Sequence, residues 1–245
     1  GYKINLKLSS PEKMERRLLT HEDPKSPISE AYRSLRTSLM FDNNDAEGKI
    51  ILVSSPGPGE GKTTTVANLA ITYANMGKKT LLVDADLRKP VLHKMFKDND
   101  NQGLTNFLSG SENNINNLLI DSGVDNLKII ISGVIPPNPS ELLASYFMNE
   151  FIKSVKNEFD IILFDTPPLI AVTDAFIITK FVDKFLLVVR ASVTQKGALE
   201  RSLVNMSNMS HSIDGVIFNG VDETNTYGGG YYYNYYQNYY GSEEK

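Results

Sequence analysis

The chain has 245 residues, of which 41% are hydrophobic and 22% charged, enough for one α/β domain with a sizeable core. It has no cysteine, which excludes disulfides, thiolate metal sites and iron–sulfur clusters and fits a cytoplasmic protein. The formal net charge of −4 argues against a broad basic nucleic-acid surface, and no apolar run approaches the ~20 residues of a membrane helix. Eight of the twelve tyrosines lie between Tyr227 and Tyr240, without the period of a strand or a helix.

The hydrophobic pattern predicts alternating strands and helices after an irregular arm at residues 1–25. We expect a helix from about Ser29, which would cap it, and another from Thr63 to Met76, closed by Gly77. Continuous apolar runs predict strands buried on both faces; these are residues 50–53, 80–84, 127–131, 159–164, 184–190 and 214–218. Further helices are expected at residues 140–157, 173–181 and 195–209. This alternation indicates an α/β fold with a mainly parallel central sheet over residues 26–222, before a flexible low-complexity tail at 223–245.

A glycine-rich segment lies between the first strand and the helix after it, and reads Ser-Ser-Pro-Gly-Pro-Gly-Glu-Gly-Lys-Thr-Thr at residues 54–64. Glycines let backbone N–H groups approach phosphate oxygens, and a helix N-terminus adds partial positive charge. Lys62 would bind the β- and γ-phosphates, and the Thr63 hydroxyl would reach Mg²⁺. The strict pattern has Gly where this chain has Pro56, so the match is to the Gly-Lys-Thr half. The predicted nucleotide-binding residues are Gly57, Pro58, Gly59, Glu60, Gly61, Lys62, Thr63 and Thr64.

Acidic residues stand at the ends of two other predicted strands. Asp84 and Asp86 close the second strand, and Asp165 closes the strand that begins near residue 159. Because ligands bind outside the carboxyl ends of parallel strands, these side chains should face the same phosphates. Mg²⁺ takes one or two carboxylates together with phosphates and waters, which makes Asp165 and Asp84 candidate ligands beside Thr63.

Three further features leave alternatives open. Arg88 is placed to reach a phosphate or to pair with a neighbouring acid. Asn219, after the last strand, is a candidate for the nucleotide base pocket. The stretch at residues 136–140, Pro-Pro-Asn-Pro-Ser, is most simply a stiff turn before a helix.

Together these motifs resemble those of the bacterial tyrosine kinases of capsule and exopolysaccharide synthesis. The matching stretches are residues 54–64, 82–90, 136–142 and 162–168, and the resemblance extends over about residues 25–240. Glu30-Ala-Tyr-Arg33-Ser-Leu-Arg36 is similar to that family's oligomerisation helix. The tyrosine-rich end is similar to its autophosphorylated tail.

The resemblance implies the P-loop NTPase fold, with ATP or ADP and Mg²⁺ as cofactors. The implied reaction is transfer of the ATP γ-phosphoryl group to tyrosines of a neighbouring copy, in regulation of polysaccharide synthesis and export. Lys62, Asp84, Asp86 and Asp165 would be the catalytic residues; Asp84 is the first candidate for the base and Asp86 the second. The acceptors would be Tyr227, Tyr231, Tyr232, Tyr233, Tyr235, Tyr236, Tyr239 and Tyr240.

The resemblance also implies partners. Glu30, Arg33 and Arg36 would join copies into a ring, commonly an octamer when unphosphorylated. A transmembrane polysaccharide co-polymerase adaptor would activate the kinase at the inner face of the cell membrane, where it would be peripheral, and a cognate phosphotyrosine phosphatase would act on it. No nucleic-acid partner is expected. Residues 1–20 do not match the family core and are either an extension or a piece of adaptor.

Two rival interpretations remain at this point. A partition-type or cell-division-type ATPase would carry an extra lysine at the start of the phosphate loop, where this chain has Gly57. A nucleotide-dependent scaffold would bind ATP without transferring its phosphate. The missing lysine and the tyrosine cluster argue against the ATPase, and the complete set of Lys62, Thr63, Asp84 and Asp165 argues for catalysis over the scaffold.

Overall fold

The computed structural model describes residues 18–40, 49–96, 101–170, 173–207 and 212–220. The strands within them are β1 Lys49–Ser54, β2 Thr80–Asp84, β3 Ile120–Asp121, β4 Leu127–Ile130, β5 Ile161–Asp165, β6 Lys184–Arg190 and β7 Gly215–Asn219. The helices are α1 Leu19–Glu22, α2 Pro27–Met40, α3 Lys62–Ala74, α4 Leu92–Met95, α5 Leu104–Leu108, α6 Pro139–Leu143, α7 Tyr146–Glu158, α8 Asp174–Ile178 and α9 Lys196–Ser207, with short 3₁₀ turns at Ile115–Asn117 and Thr179–Phe181. Residues 1–17 and the predicted tyrosine tail lie outside the described residues.

The strands form one seven-stranded sheet in the order β3-β4-β2-β5-β1-β6-β7. All neighbours are parallel except β3, which pairs antiparallel with β4. The predicted mainly parallel α/β fold is therefore confirmed. In the register, Asp165 of β5 lies opposite Val53 of β1 on one side and Asp84 of β2 on the other, so the phosphate loop and the acidic strand ends meet at one edge.

Helices cover both faces of the sheet, as the continuous apolar strands require. On one face, α3 packs against β1, β2 and β5, and α1 and α2 pack against α3. On the other face, α5 to α9 pack over a core that includes an edge-to-face aromatic series of Phe107, Phe151 and Phe164. No helix of the described residues is long and apolar enough to cross a membrane.

The start of α2 and the segment before it differ from the sequence prediction. The helix predicted from Ser29 begins at Pro27, because Ser26 provides the cap: its Oγ accepts the N–H of Ser29 at 3.2 Å. The part of the predicted arm that the structure describes is ordered, since Thr20 of α1 is buried and its N–H and hydroxyl both donate to Asn68 Oδ1 of α3, each at 2.9 Å.

The predicted helix at residues 140–157 is two helices. The chain leaves the helical conformation at Ser145, whose φ of −72° and ψ of 165° are extended, and α7 begins at the next residue. Residues 173–181 are a short α-helix followed by a 3₁₀ turn. The remaining predicted strands and helices lie within a few residues of the observed ones.

Candidate active site

The phosphate loop joins β1 to α3 and has the backbone that its glycines predict. Gly61, which precedes α3, has a φ of +91°, in the left-handed region that favours glycine. A Cβ at this position would also collide with the Asn219 side-chain amide. The N–H groups of the first turn of the thirteen-residue α3 therefore face the phosphate loop, an arrangement that binds anions.

Lys62 and Thr63, the first residues of α3, both reach Asp165 at the end of β5. Lys62 Nζ lies 3.2 Å from Asp165 Oδ1, and the Thr63 hydroxyl donates to Asp165 Oδ2 at 2.6 Å. Lys62 Nζ is also 3.7 Å from Asp86 Oδ2. The structure thus brings together a cation, a hydroxyl and two carboxylates that lie far apart in the sequence.

The charges of this cluster shift one another's pKa values. Burial disfavours the charged form of Lys62, but the carboxylates of Asp165, Asp86 and Asp84 outweigh it and raise its pKa. Burial raises the pKa of Asp165, although Lys62 and the Thr63 hydroxyl oppose the rise. Burial and then the charge of Asp165 raise the pKa of Asp84 to about 7. Several anionic side chains share one ammonium group, so this edge of the sheet favours further positive charge.

Asp84 is fully buried, and its oxygens already accept backbone N–H groups of the loop that follows β2. Oδ2 accepts from Val91 and Leu92, each at 3.0 Å, and Oδ1 accepts from Asp86 at 3.2 Å. Its assignment as a magnesium ligand stays a prediction, and an Oδ atom would have to share or release these bonds. Asp86 Oδ1 similarly accepts from Arg88 and Lys89, at 3.3 and 3.0 Å.

Thr63 and Asp165 are the residues that best fit a magnesium ion. A hydroxyl and a carboxylate, 2.6 Å apart and buried at the phosphate loop, are the hard oxygen donors that Mg²⁺ prefers. The described part of the chain contains no group of three His, Cys, Asp or Glu side chains arranged around a metal. Mg²⁺ at such sites is usually completed by phosphate and water.

The outer side of the phosphate loop is held by the ends of β6 and β7. The buried Glu60 carboxylate accepts the Gly57 N–H at 2.8 Å and the Thr194 hydroxyl at 2.6 Å, and burial raises its pKa. Asn219 Nδ2 donates to the Glu60 carbonyl at 3.1 Å, so Asn219 lies against the phosphate loop, and its role in the base pocket stays a prediction. Arg190 Nη1 donates to the Gly59 carbonyl at 3.2 Å. Sequence analysis did not identify Arg190 and Thr194. The rule that ligands bind at the carboxyl ends of parallel strands applies to them as it does to Asp165, because Arg190 ends β6 and Thr194 follows it.

Of the two alternatives for Arg88, the structure shows the ion pair. Its guanidinium binds the carboxylate of Asp174, with Nε to Oδ2 at 2.8 Å, and it contacts Ser140. No Arg88 side-chain contact leads to the phosphate loop among the described residues. No local sequence pattern indicates Asp174, because the pairing joins residues 86 positions apart.

The predicted oligomerisation residues have partners within the chain. Arg33 Nε pairs with Glu30 at 2.7 Å on a partly exposed face of α2. Arg36 instead turns inward, and its Nη1 donates to the carbonyl of Thr72 in the last turn of α3 at 2.8 Å. The subunit contact stays a prediction for all three residues, and for Arg36 it competes with this internal bond.

A buried parallel strand, a glycine loop with Lys-Thr at a helix start, and an aspartate on the neighbouring strand define a P-loop nucleotide-binding protein. A family model described as an AAA domain matches residues 48–214. The cell division ATPase MinD of Pyrococcus furiosus shares the fold at a TM-score of 0.57 and 27% identity, over 70% of this chain and 71% of its own.

Closer similarity is to tyrosine kinases. The tyrosine-protein kinase YwqD of Bacillus subtilis is 38% identical over 208 residues, which are 85% of this chain and 87% of the relative. Tyrosine-protein kinase CpsD of Streptococcus agalactiae is 38% identical over 201 residues, 81% of this chain and 85% of the relative. The kinase domain of the Escherichia coli tyrosine kinase ETK superposes with a TM-score of 0.80 at 32% identity, over 86% of this chain and 82% of that domain. The chain belongs to the bacterial tyrosine kinase family and is a protein-tyrosine kinase.

Proposed function

We propose that this kinase transfers the γ-phosphoryl group of ATP to the tyrosines of the cluster from Tyr227 to Tyr240 on a neighbouring copy of the chain. We propose further that this autophosphorylation regulates capsule or exopolysaccharide synthesis and export. The observation that supports the reaction most directly is the convergence of Lys62, Thr63 and Asp165 at the phosphate loop.

Transfer of a phosphoryl group requires mainly positioning and stabilisation of charge on the phosphate oxygens. The N–H groups at the start of α3 and the Lys62 ammonium supply that stabilisation. Lys62 keeps its charge because the neighbouring carboxylates raise its pKa. Thr63 and Asp165 would hold Mg²⁺, which when bound neutralises phosphate charge.

The tyrosine hydroxyl has an ordinary pKa near 10 and must lose its proton during transfer. Asp84 is the first candidate for the acceptor of that proton, since burial and the charge of Asp165 raise the pKa of its carboxyl group and so strengthen it as a base. Asp86 is the second candidate, because it lies beside Lys62. Exchange of each for Asn, with nucleotide affinity measured separately, distinguishes the base from a residue needed for binding.

The predicted assembly follows from the same proposal. The Glu30–Arg33 pair on α2 remains partly exposed and suits contact between copies in a ring, commonly an octamer before phosphorylation. A transmembrane adaptor would hold the kinase at the inner face of the membrane and activate it, and a phosphotyrosine phosphatase would reset it. Each phosphate adds roughly −1.5 to −2 charges, so a phosphorylated tail should weaken the ring by repulsion.

A mixing experiment tests the reaction and its direction. One chain carries Phe at all eight tail tyrosines and an intact site; the other carries Lys62→Met and an intact tail. After incubation with Mg-ATP, mass spectrometry should find phosphotyrosine on the Lys62→Met chain in the mixture, and none when that chain is incubated alone. Free phosphate without tail modification would instead support an ATPase, and bound nucleotide with neither product would support a scaffold.

A further inference from the structure

The exposed Arg88 pairs with the buried Asp174 in a polar contact that the proposed reaction does not use. Its guanidinium donates two parallel hydrogen bonds to Asp174, from Nε to Oδ2 at 2.8 Å and from Nη2 to Oδ1 at 3.0 Å. Ser140 completes a triangle, because its hydroxyl donates to Asp174 Oδ1 at 2.7 Å and accepts from Arg88 Nη2 at 3.0 Å.

The contact fixes the relative geometry of the three side chains and is more than an ion pair between surface charges. Asp174 has no solvent exposure, so its carboxylate depends on these donors. A planar guanidinium that pairs with both oxygens of a carboxylate fixes orientation as well as distance, which a lysine does not. The three residues therefore form a rigid unit.

This unit joins three segments that leave the carboxyl ends of different strands. Arg88 belongs to the loop after β2, Ser140 to the first turn of α6 after β4, and Asp174 to α8 after β5. The start of the loop after β2 is held by the Ala85 N–H, which donates to the Asp165 carbonyl, and by the buried Leu87. Further along the loop, Asp84 and Asp86 accept the N–H groups of Lys89, Val91 and Leu92. The proline-rich stretch at residues 136–140 leads into α6 and thereby positions Ser140 for its bond to Asp174.

We infer that Arg88, Asp174 and Ser140 are positioning residues, which hold the loop that follows Asp84 and bears Asp86 against α8, the helix after β5. The inference deepens the proposed kinase reaction and rests on it for its kinetic consequence. Its structural consequence does not depend on the proposed reaction. Without the contact, the loop between β2 and α4 opens more often, whatever reaction the site carries out.

The experiment compares Arg88→Met, Asp174→Asn, Ser140→Ala and the double variant Arg88→Met/Asp174→Asn in the full chain. Arg201→Met, an exposed arginine on α9, is the matched control. Native-state hydrogen exchange is read at the amides of Lys89, Val91 and Leu92, ADP affinity by calorimetry, and kcat by tail phosphorylation. Arg88→Lys tests rescue, since it keeps the charge but not the paired bonds.

We expect exchange at the three amides to rise about tenfold in Arg88→Met and Asp174→Asn, and less in Ser140→Ala. The kcat should fall between about tenfold and a hundredfold while ADP affinity stays within about twofold, because a displaced loop misplaces reacting groups without removing a phosphate contact. The double variant should be no worse than the worse single one, and Arg88→Lys should recover part of both readouts.

Unchanged exchange at these amides overturns the inference, whatever happens to kcat. A large loss of ADP affinity in Arg88→Met but not in Asp174→Asn also overturns it, since Arg88 would then act on phosphate directly. If the wild-type chain phosphorylates no tyrosine, the proposed function fails, and the exchange rates still decide whether the contact holds the loop. Should Asp174→Asn not fold, Arg88→Met and Ser140→Ala give the same decision.

Discussion

Replacement of Asp84 by Asn should stabilise the protein at pH 8 while it abolishes or strongly lowers kinase activity. Asp84 is fully buried, and burial together with Asp165 raises its pKa from 3.8 to about 7. A tenfold change in a proton equilibrium corresponds to about 1.4 kcal/mol, so ionising this side chain in the folded protein costs on the order of 4 kcal/mol. Asn keeps the shape of the Asp84 side chain and carries no charge, so the substitution removes that cost.

The backbone bonds of Asp84 offset part of the gain. The N–H groups of Val91 and Leu92 would bond to a neutral amide oxygen instead of a carboxylate, and the N–H of Asp86 would lose its acceptor. Since hydrogen bonds to charged groups are about twice as strong as neutral ones, we expect a net stabilisation of about 2 kcal/mol at pH 8.

The pH dependence gives the sharper test. The folded state raises the pKa of Asp84, so its contribution to stability is fully present below pH 3.8 and is lost as the pH rises through about 7. Urea unfolding from pH 4 to pH 8 should therefore show a gap between Asp84→Asn and wild type that opens with rising pH. Asp125→Asn, at an exposed position, is the matched control. A variant that is less stable than wild type at pH 8, or a gap that does not change with pH, would refute the reasoning.

Three other substitutions test the packing around the site. Phe151→Ala removes the central ring of the aromatic core and should cost about 3–5 kcal/mol in urea unfolding; a loss below 1 kcal/mol would contradict its burial. Thr20→Val removes one buried hydrogen bond to Asn68 and should cost about 1 kcal/mol, with faster exchange at the Thr20 amide, whereas unchanged values would show that α1 is not held there. Arg36→Met should lower the unfolding free energy by about 1–2 kcal/mol in dilute protein, because the Thr72 carbonyl loses its donor; a change of assembled mass by light scattering without loss of stability would assign Arg36 to the subunit contact instead.

The sequence predicts the sheet and the phosphate loop well because their signals are local. Continuous apolar runs mark buried strands, and Gly-Lys-Thr after such a run marks the loop, whose Lys62 and Thr63 meet Asp165 as expected. The parallel connection then fixes which edge of the sheet carries the site. At that edge, Asp84 and Asp165 lie opposite one another in the register of β2 and β5.

The errors concern contacts between distant residues or breaks without a strong residue signal. The order of residues 18–25 depends on Thr20 meeting Asn68, 48 positions later. Ser145 interrupts a helical pattern that contains neither Gly nor Pro at that point, and β3 is only two residues long. The ion pair of Arg88 likewise depends on Asp174, 86 positions later, and a phosphate contact of Arg88 stays a prediction.

The residues of the phosphate-loop motif face two different sides of the loop. Lys62 and Thr63 face Asp165 and the acidic edge of the sheet, whereas Glu60 faces Thr194, with both carboxylate oxygens already bonded. A carboxylate beside phosphate would repel it, so we expect the Glu60 side chain to fix the loop through Gly57 and Thr194 rather than to contact phosphate. We expect Asn219, which donates to the Glu60 carbonyl, to hold the loop as well. The ends of β6 and β7 thereby set the shape of the phosphate loop in advance, and binding energy need not be spent on ordering it.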